Sequence, residues 1–288
     1  MSFNNLSVKL DQVLAGTFSG TLTNLNNPDR LTYDLNIEEL MAKVDQLPIP
    51  PNESIAIDSL GKIYFRGKIA GNLKDVNIDG SFSTDLGDAD LKMALVIPEN
   101  IENLSYDGQI NLKQFDLGVL LKNEDLDKIS INTTIKGNGF DPENLDSQIN
   151  GTIADFSFRN YTYDKIDLNA IVSGNNIDGS LKIDDKNIKV EYNGVIKIGS
   201  EESVFDFTAL IDTLNLNELG LLDNALSFSG LIKAKMYLPL TPGRKGEVSI
   251  TNFAMANPIE RFQSDSILLY AQKTQDSTFI DIRSDFMN

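Results

Sequence analysis

The chain has 288 residues, with 25 lysines and arginines against 42 aspartates and glutamates, a formal net charge of −17. That field repels the phosphate backbone of a nucleic acid, which removes this partner class, and no polybasic face offers a grip on an anionic membrane. Cysteine, histidine and tryptophan are absent, so disulfides, thiolate chemistry, the commonest general base and the commonest transition-metal ligand are all excluded.

The opening "MSFNNLSVKLDQ" lacks a basic region followed by an apolar stretch, and no apolar run approaches the length of a membrane-spanning helix. "LAGTFSGTL" then alternates strictly, with Leu14, Gly16, Phe18, Gly20 and Leu22 on one face of an extended chain. "NNPD" is a break, and "NIEELMAKV" around Leu40 has apolar spacing that suggests a helical turn or two. "LPIPP" (Leu47 to Pro51) is a linker candidate, because consecutive X-Pro bonds suit neither helix nor sheet interior, and it marks a repeat boundary near residues 47–52. "FRGKIAGNL" repeats the first pattern, placing Phe65, Gly67, Ile69, Gly71 and Leu73 on one face.

A shorter form, apolar-x-Gly-x-apolar, recurs at Ile78, Tyr106, Ile149, Ile177, Tyr192 and Phe228 without a fixed period, so the repeat is a strand type and not the rung of a strict solenoid. "ISINTTIKG" (129–137), "IKVEYNGVIKI" (188–198) and "LSFSGLIKAKMYL" (226–238) alternate apolar and polar over long stretches, which indicates antiparallel strands wet on one side. "DPEN" with Pro142, "DDKN" (Asp184 to Asn187) and "TPGRKG" are turns between them. Two further helix-like pieces, "FDLGVLL" around Leu117 and "LNLNELGLL" around Leu219, suggest lids or plugs on a sheet. The chain begins inside an alternation and ends at "RSDFMN" without a closing element. The expectation is one continuous β segment over 1–288, a fragment of a longer protein whose anchor lies outside it.

Carboxylates are the only candidates for chemistry. "LGDADL" (Asp88, Asp90), "NEDLD" (Glu124, Asp125, Asp127) and "IDDK" (Asp184, Asp185) lack the spacing that wraps a calcium ion, and turns favour Asp and Asn for backbone reasons alone. No nucleophile elbow, P-loop, dinucleotide fingerprint or H-E-x-x-H is present, so neither an enzyme nor a cofactor is expected. The unusual feature is glycine in the apolar register of strands. A bulge or relief of crowding in a sandwich core accounts for it. So does a long, strongly curved sheet that never closes, in which glycine permits the bend and leaves room on a concave apolar face.

The recurring strands, together with "ISINTTIKGNGFDPENLDSQINGTIADFSFRNYTYDKIDLNAIVSGNNIDGSLKIDD" and "FDFTALIDTLNLNELGL", resemble the TamB and AsmA-like proteins of Gram-negative envelopes, in particular their Bacteroidota forms. The resemblance implies an all-β groove, folded like a taco shell, that lies in the periplasm, is anchored to the inner membrane, and carries phospholipid acyl chains between the inner and outer membranes. For TamB it also implies outer-membrane biogenesis with a barrel partner. The expected lining is Phe65, Ile69, Ile78, Phe82, Ile129, Ile131, Ile135, Ile166, Leu168, Ile188, Val190, Tyr192, Ile196, Phe205, Phe207, Phe228 and Ile232. Two alternatives stand beside it: a closed sandwich or β-helix adhesin with a dry core, and a β-rich polysaccharide hydrolase or lyase drawing on Asp88, Asp90, Asp184 and Asp185.

Overall fold

The period-2 alternation becomes strand almost throughout: 69% of the chain is strand and 6% helix, antiparallel and not closed. The computed structural model describes residues 1–11, 13–47, 55–139 and 145–285. The expected "DPEN" turn and most of the 47–52 boundary lie outside them. The chain forms two units that part near Phe158.

The first unit holds β1 (Ser2–Leu10), β2 (Leu14–Thr23), β3 (Thr32–Lys43), β4 (Lys62–Asn72), β5 (Asp75–Thr84), β6 (Gly87–Val96), β7 (Ser105–Asp116), β8 (Lys128–Asn138) and most of β9 (Asp146–Phe158). The second holds β10 (Tyr161–Ser173), β11 (Asn176–Asp184), β12 (Ile188–Lys197), β13 (Ser203–Asn215), β14 (Ser227–Leu238), β15 (Lys245–Ala256), β16 (Arg261–Lys273) and β17 (Thr278–Ser284). Each is a meander in which successive strands pair antiparallel, β1 to β8 in one and β10 to β17 in the other. Short polar turns make this possible. Between β4 and β5 the Asn72 side chain accepts from the N–H groups of Lys74 and Asp75 at 2.7 and 2.9 Å.

One expected helix is a strand. "NIEELMAKV" belongs to β3, where the register against β4 shifts between Ile37 and Leu40. The bulge inserts one extra residue, so apolar residues three apart stay on one face of a strand and imitate helical spacing. The same three-residue step separates Leu112 from Phe115 across Gln114, at φ 47, and Ile211 from Leu214. "FDLGVLL" does contain a helix, α1 (Leu117–Leu120), a single turn whose first N–H groups are capped by Asp116, which accepts from Val119 at 2.9 Å. "LNLNELGLL" forms hydrogen-bonded turns that bury Leu219 completely.

In the first unit α1 and the turn Ile57–Leu60 lie at the same end of the strands and meet, the N–H of Ala56 donating to the carbonyl of Leu120 at 2.8 Å. Beneath them Leu86, Phe115 and Ile129 form a buried cluster, with Leu60, Leu117, Leu120, Ile131 and Phe156 packed around it. This rim is a packed apolar cluster of the first unit.

Candidate functional site

Cross-strand register aligns the apolar residues of the first unit into rows running across the strands. One row reads Leu40, Phe65, Phe82, Ala89, Leu112, Ile131 from β3 to β8. The next along the strands is Ile37, Gly67, Gly80, Leu91, Ile110, Thr133, followed by Leu35, Ile69, Ile78, Met93, Gly108, Ile135. In the second unit Ile183, Val190, Ile211 and Gly230 face one another from β11 to β14, then Leu181, Tyr192, Ala209 and Ile232, then Gly179, Gly194, Phe207 and Ala234, then Ile177, Ile196, Phe205 and Met236. Every residue expected to line a groove falls on the apolar face of its unit, half-buried or buried. The structure divides them by what covers them. Ile129, only 5% exposed, and Ile131 belong to the packed rim, whereas Ile69, Ile78 and Ile135 lie in the row away from it.

The same rows hold apolar residues that sequence reasoning did not name, among them Leu91, Met93, Ile110, Leu181 and Ile211. The signal was there, since each continues its own strand's alternation.

The in-face glycines answer to close approach. At Gly67, with φ 152, a Cβ would lie well inside 3.0 Å of the Asp79 carbonyl and of Cα of Gly80, its partner across the ladder. Gly194, also at φ 152, meets the backbone of Asp206 and Phe207 in the same way. At this positive φ the Cβ position turns toward the neighbouring strand, where only the hydrogen of glycine fits. The notches are not empty, however. The Phe65 ring lies over Gly80 and the Met93 sulfur over Gly108, so a neighbour fills the space that glycine leaves.

Among the described residues the sizeable contacts between elements join successive strands, the short turns Val44–Gln46 and Ile57–Leu60, and α1 with β8 and with the Ile57–Leu60 turn.

Asp90, Asp184 and Asp185 are engaged elsewhere. Asp90, on the polar face, accepts from Ser81 at 2.6 Å and pairs with Lys113 at 2.7 Å, and that lysine holds its carboxyl below the usual range. Asp184 pairs with Lys189 at 3.2 Å. Asp185 is buried in the turn after β11, where it accepts from the Tyr161 hydroxyl and from the N–H groups of Asn187 and Asp164 at 2.8 and 3.3 Å. Burial pushes the Asp185 carboxyl up, but these bonds outweigh it and the net shift is downward; burial first, then Asp185, pushes the Tyr161 hydroxyl up to about 12. Asp88 and Asp90 are on a first-unit strand, Asp184 and Asp185 at a second-unit turn, and no group of three or more acidic side chains among the described residues is placed to hold a metal. No helix among the described residues is long and apolar enough to cross a membrane.

No family model, curated protein or solved structure matches the chain.

Proposed function

We propose that the chain is a non-enzymatic conduit segment of the TamB and AsmA-like kind, its apolar face carrying phospholipid acyl chains between the two membranes of a Gram-negative envelope. The observation that carries this reading is the face itself: rows of large aliphatic side chains, in register over successive strands. Burial of an acyl chain is worth about 0.8 kcal/mol per CH₂, so about 16 carbons cost on the order of 12 kcal/mol to expose to water. A continuous apolar face offsets that cost without a pocket, and the headgroup stays in solvent. The dry core of a closed sandwich does not suit a sheet that is not closed.

The test is native mass spectrometry with lipid extraction of the purified chain. Phospholipid is expected to copurify, and to be lost with Ile78→Asp in the first unit or Val190→Asp in the second while the far-UV circular dichroism is retained. A folded, lipid-free wild type refutes the reading.

A further inference from the structure

The chain carries a net charge of −17, but one cleft reverses the sign locally. It lies on the polar face of the second unit across β13 to β16, has a volume of about 620 Å³, and is lined by four cations, Lys233, Lys235, Arg244 and Lys245, against two carboxylates, Asp206 and Glu247. A cleft of about 640 Å³ on the polar face of the first unit is balanced instead, with Lys68 and Lys92 against Asp79 and Asp107, and its lysines pair with Asp34 and Asp79 at 2.9 and 4.0 Å. In the second unit Lys235 pairs with Asp206 at 3.0 Å. Arg244 holds the Glu202 carboxylate at 2.9 Å, and its guanidinium lies 4.4 Å from the centre of the Tyr237 ring. Lys233 and Lys245, both exposed, make no ion pair among the described residues.

Register orders these groups. Asp206, Lys235, Glu247 and Tyr270 form one row across the four strands. Lys233, opposite Ser249, stands one row to one side, and Lys245 one row to the other, so the two lysines are about 14 Å apart along the strands. Between these cationic ends lie hydrogen-bond acceptors: the Glu247 carboxylate, and the Tyr270 oxygen, whose proton is given to the Gln272 side chain at 2.9 Å. We propose that the cleft binds an acidic oligosaccharide, a chain of carboxylated sugars. Its carboxylates reach Lys233 at one end and Lys245 with Arg244 at the other, while sugar hydroxyls between them donate to Glu247 and Tyr270. Arg244 already seats a carboxylate beside Tyr237, which is the grip required. A compact anion spans only one end and is repelled by Glu247, whereas hydroxyl groups turn that carboxylate into a charge-assisted acceptor. The cleft lies on the face opposite the apolar rows and is independent of what they carry.

Isothermal titration calorimetry of the full chain with hexagalacturonate tests this, with cellohexaose as the neutral counterpart and inorganic phosphate as the compact anion. Hexagalacturonate is expected to bind, more weakly as salt is raised, and the other two are not. Lys233→Glu and Lys245→Glu each weaken binding about tenfold or more, Glu247→Gln weakens it as well, and Lys68→Glu in the first unit's cleft leaves it unchanged. Far-UV circular dichroism reports that each variant folds. Absence of hexagalacturonate binding at low salt overturns the proposal. So does an affinity indifferent to both lysine reversals, or cellohexaose that binds equally well. Phosphate that binds as tightly, or a Glu247→Gln variant that binds hexagalacturonate more tightly, reduces the cleft to a general anion patch and also overturns it.

Discussion

Four glycines of the second unit separate two costs that the sequence presents as one. Gly194 has φ 152 and a Cβ site crowded by the Asp206 and Phe207 backbone; Gly179 is crowded by the Asn169 carbonyl and Ala170 but has no positive φ; Gly230 has φ 153 with its nearest neighbours at 3.3 to 3.5 Å; Gly246 has neither constraint, its nearest neighbour 3.8 Å away. A Cβ in this region of positive φ costs on the order of 1 to 3 kcal/mol. Forcing a methyl against packed neighbours costs about 1 to 3 kcal/mol, and backbone yields less readily than side chain. Gly246→Ala should therefore be neutral, or gain about 0.4 to 1 kcal/mol through the unfolded state. Gly230→Ala and Gly179→Ala should each lose about 1 to 3 kcal/mol, and Gly194→Ala about 3 to 5 kcal/mol, a large part of a typical stability of 5 to 15 kcal/mol. Gly179 and Gly194 face each other across the ladder, so the double variant should depart from additivity. Urea unfolding followed by circular dichroism measures all four. If Gly194→Ala unfolds at the midpoint of Gly246→Ala, the crowded backbone at Gly194 does not require glycine and the account of these strands is wrong.

The rim and the open rows should respond oppositely to charge. Ile129→Asp places a carboxylate in the buried cluster with Leu86 and Phe115 and is expected to cost about 3 kcal/mol or more, lowering the unfolding midpoint, whereas Ile78→Asp leaves it nearly unchanged; equal midpoints contradict the division. The buried turn at Asp185 predicts two pH limits. Tyr161 keeps its proton up to about pH 12 in the folded chain and loses it near 10 when unfolded. Its contribution is thus complete below pH 10 and disappears as pH rises toward 12. Asp185, held below its ordinary value, contributes above about pH 3.9 and ceases to as pH falls through its lowered folded value. Stability measured against pH should lose the alkaline step in Tyr161→Phe, and a step that persists assigns it to another group.

Much of the fold is legible in the sequence because a strand with one wet face must alternate. That is why "IKVEYNGVIKI" and "ISINTTIKG" could be placed on strands and their apolar residues on one face. The bulges were not legible. A single extra residue such as Gln114 adopts a left-handed conformation without needing a glycine, and the three-residue step it leaves looks helical, as it did around Leu40. The crowding at Gly67 and Gly80 was not legible either. Composition says that a face is notched but not that Phe65 from the next strand fills the notch. Nor does alternation tell a covered residue from an open one: Ile131 and Ile135 share a strand and a face, but only Ile131 lies under the rim, built from segments distant in sequence.

What the apolar faces lack sets the selectivity of anything bound there. The hydroxyls that reach them are already used or enclosed. Tyr33 donates to the Asn72 carbonyl at 2.9 Å, Tyr106 to the Gly139 carbonyl at 3.2 Å, and Thr133 to the Asn150 carbonyl at 3.0 Å; the Tyr192 oxygen is buried without a hydrogen-bond partner. Rows of Ile, Leu, Val, Met and Phe therefore present no donor, acceptor or charge with which to distinguish one headgroup from another, and binding depends on the acyl chain alone. Lipid carried on such a face should match the headgroup composition of the membrane from which the chain is purified, and exchange between zwitterionic and anionic vesicles should proceed with equal affinity once the chain's own negative charge is screened by salt. Lipid extraction and quantification by headgroup class measures this. Strong enrichment of one headgroup at high salt would mean that a polar site selects the lipid, and the apolar rows would then be its packing support and not the path it takes.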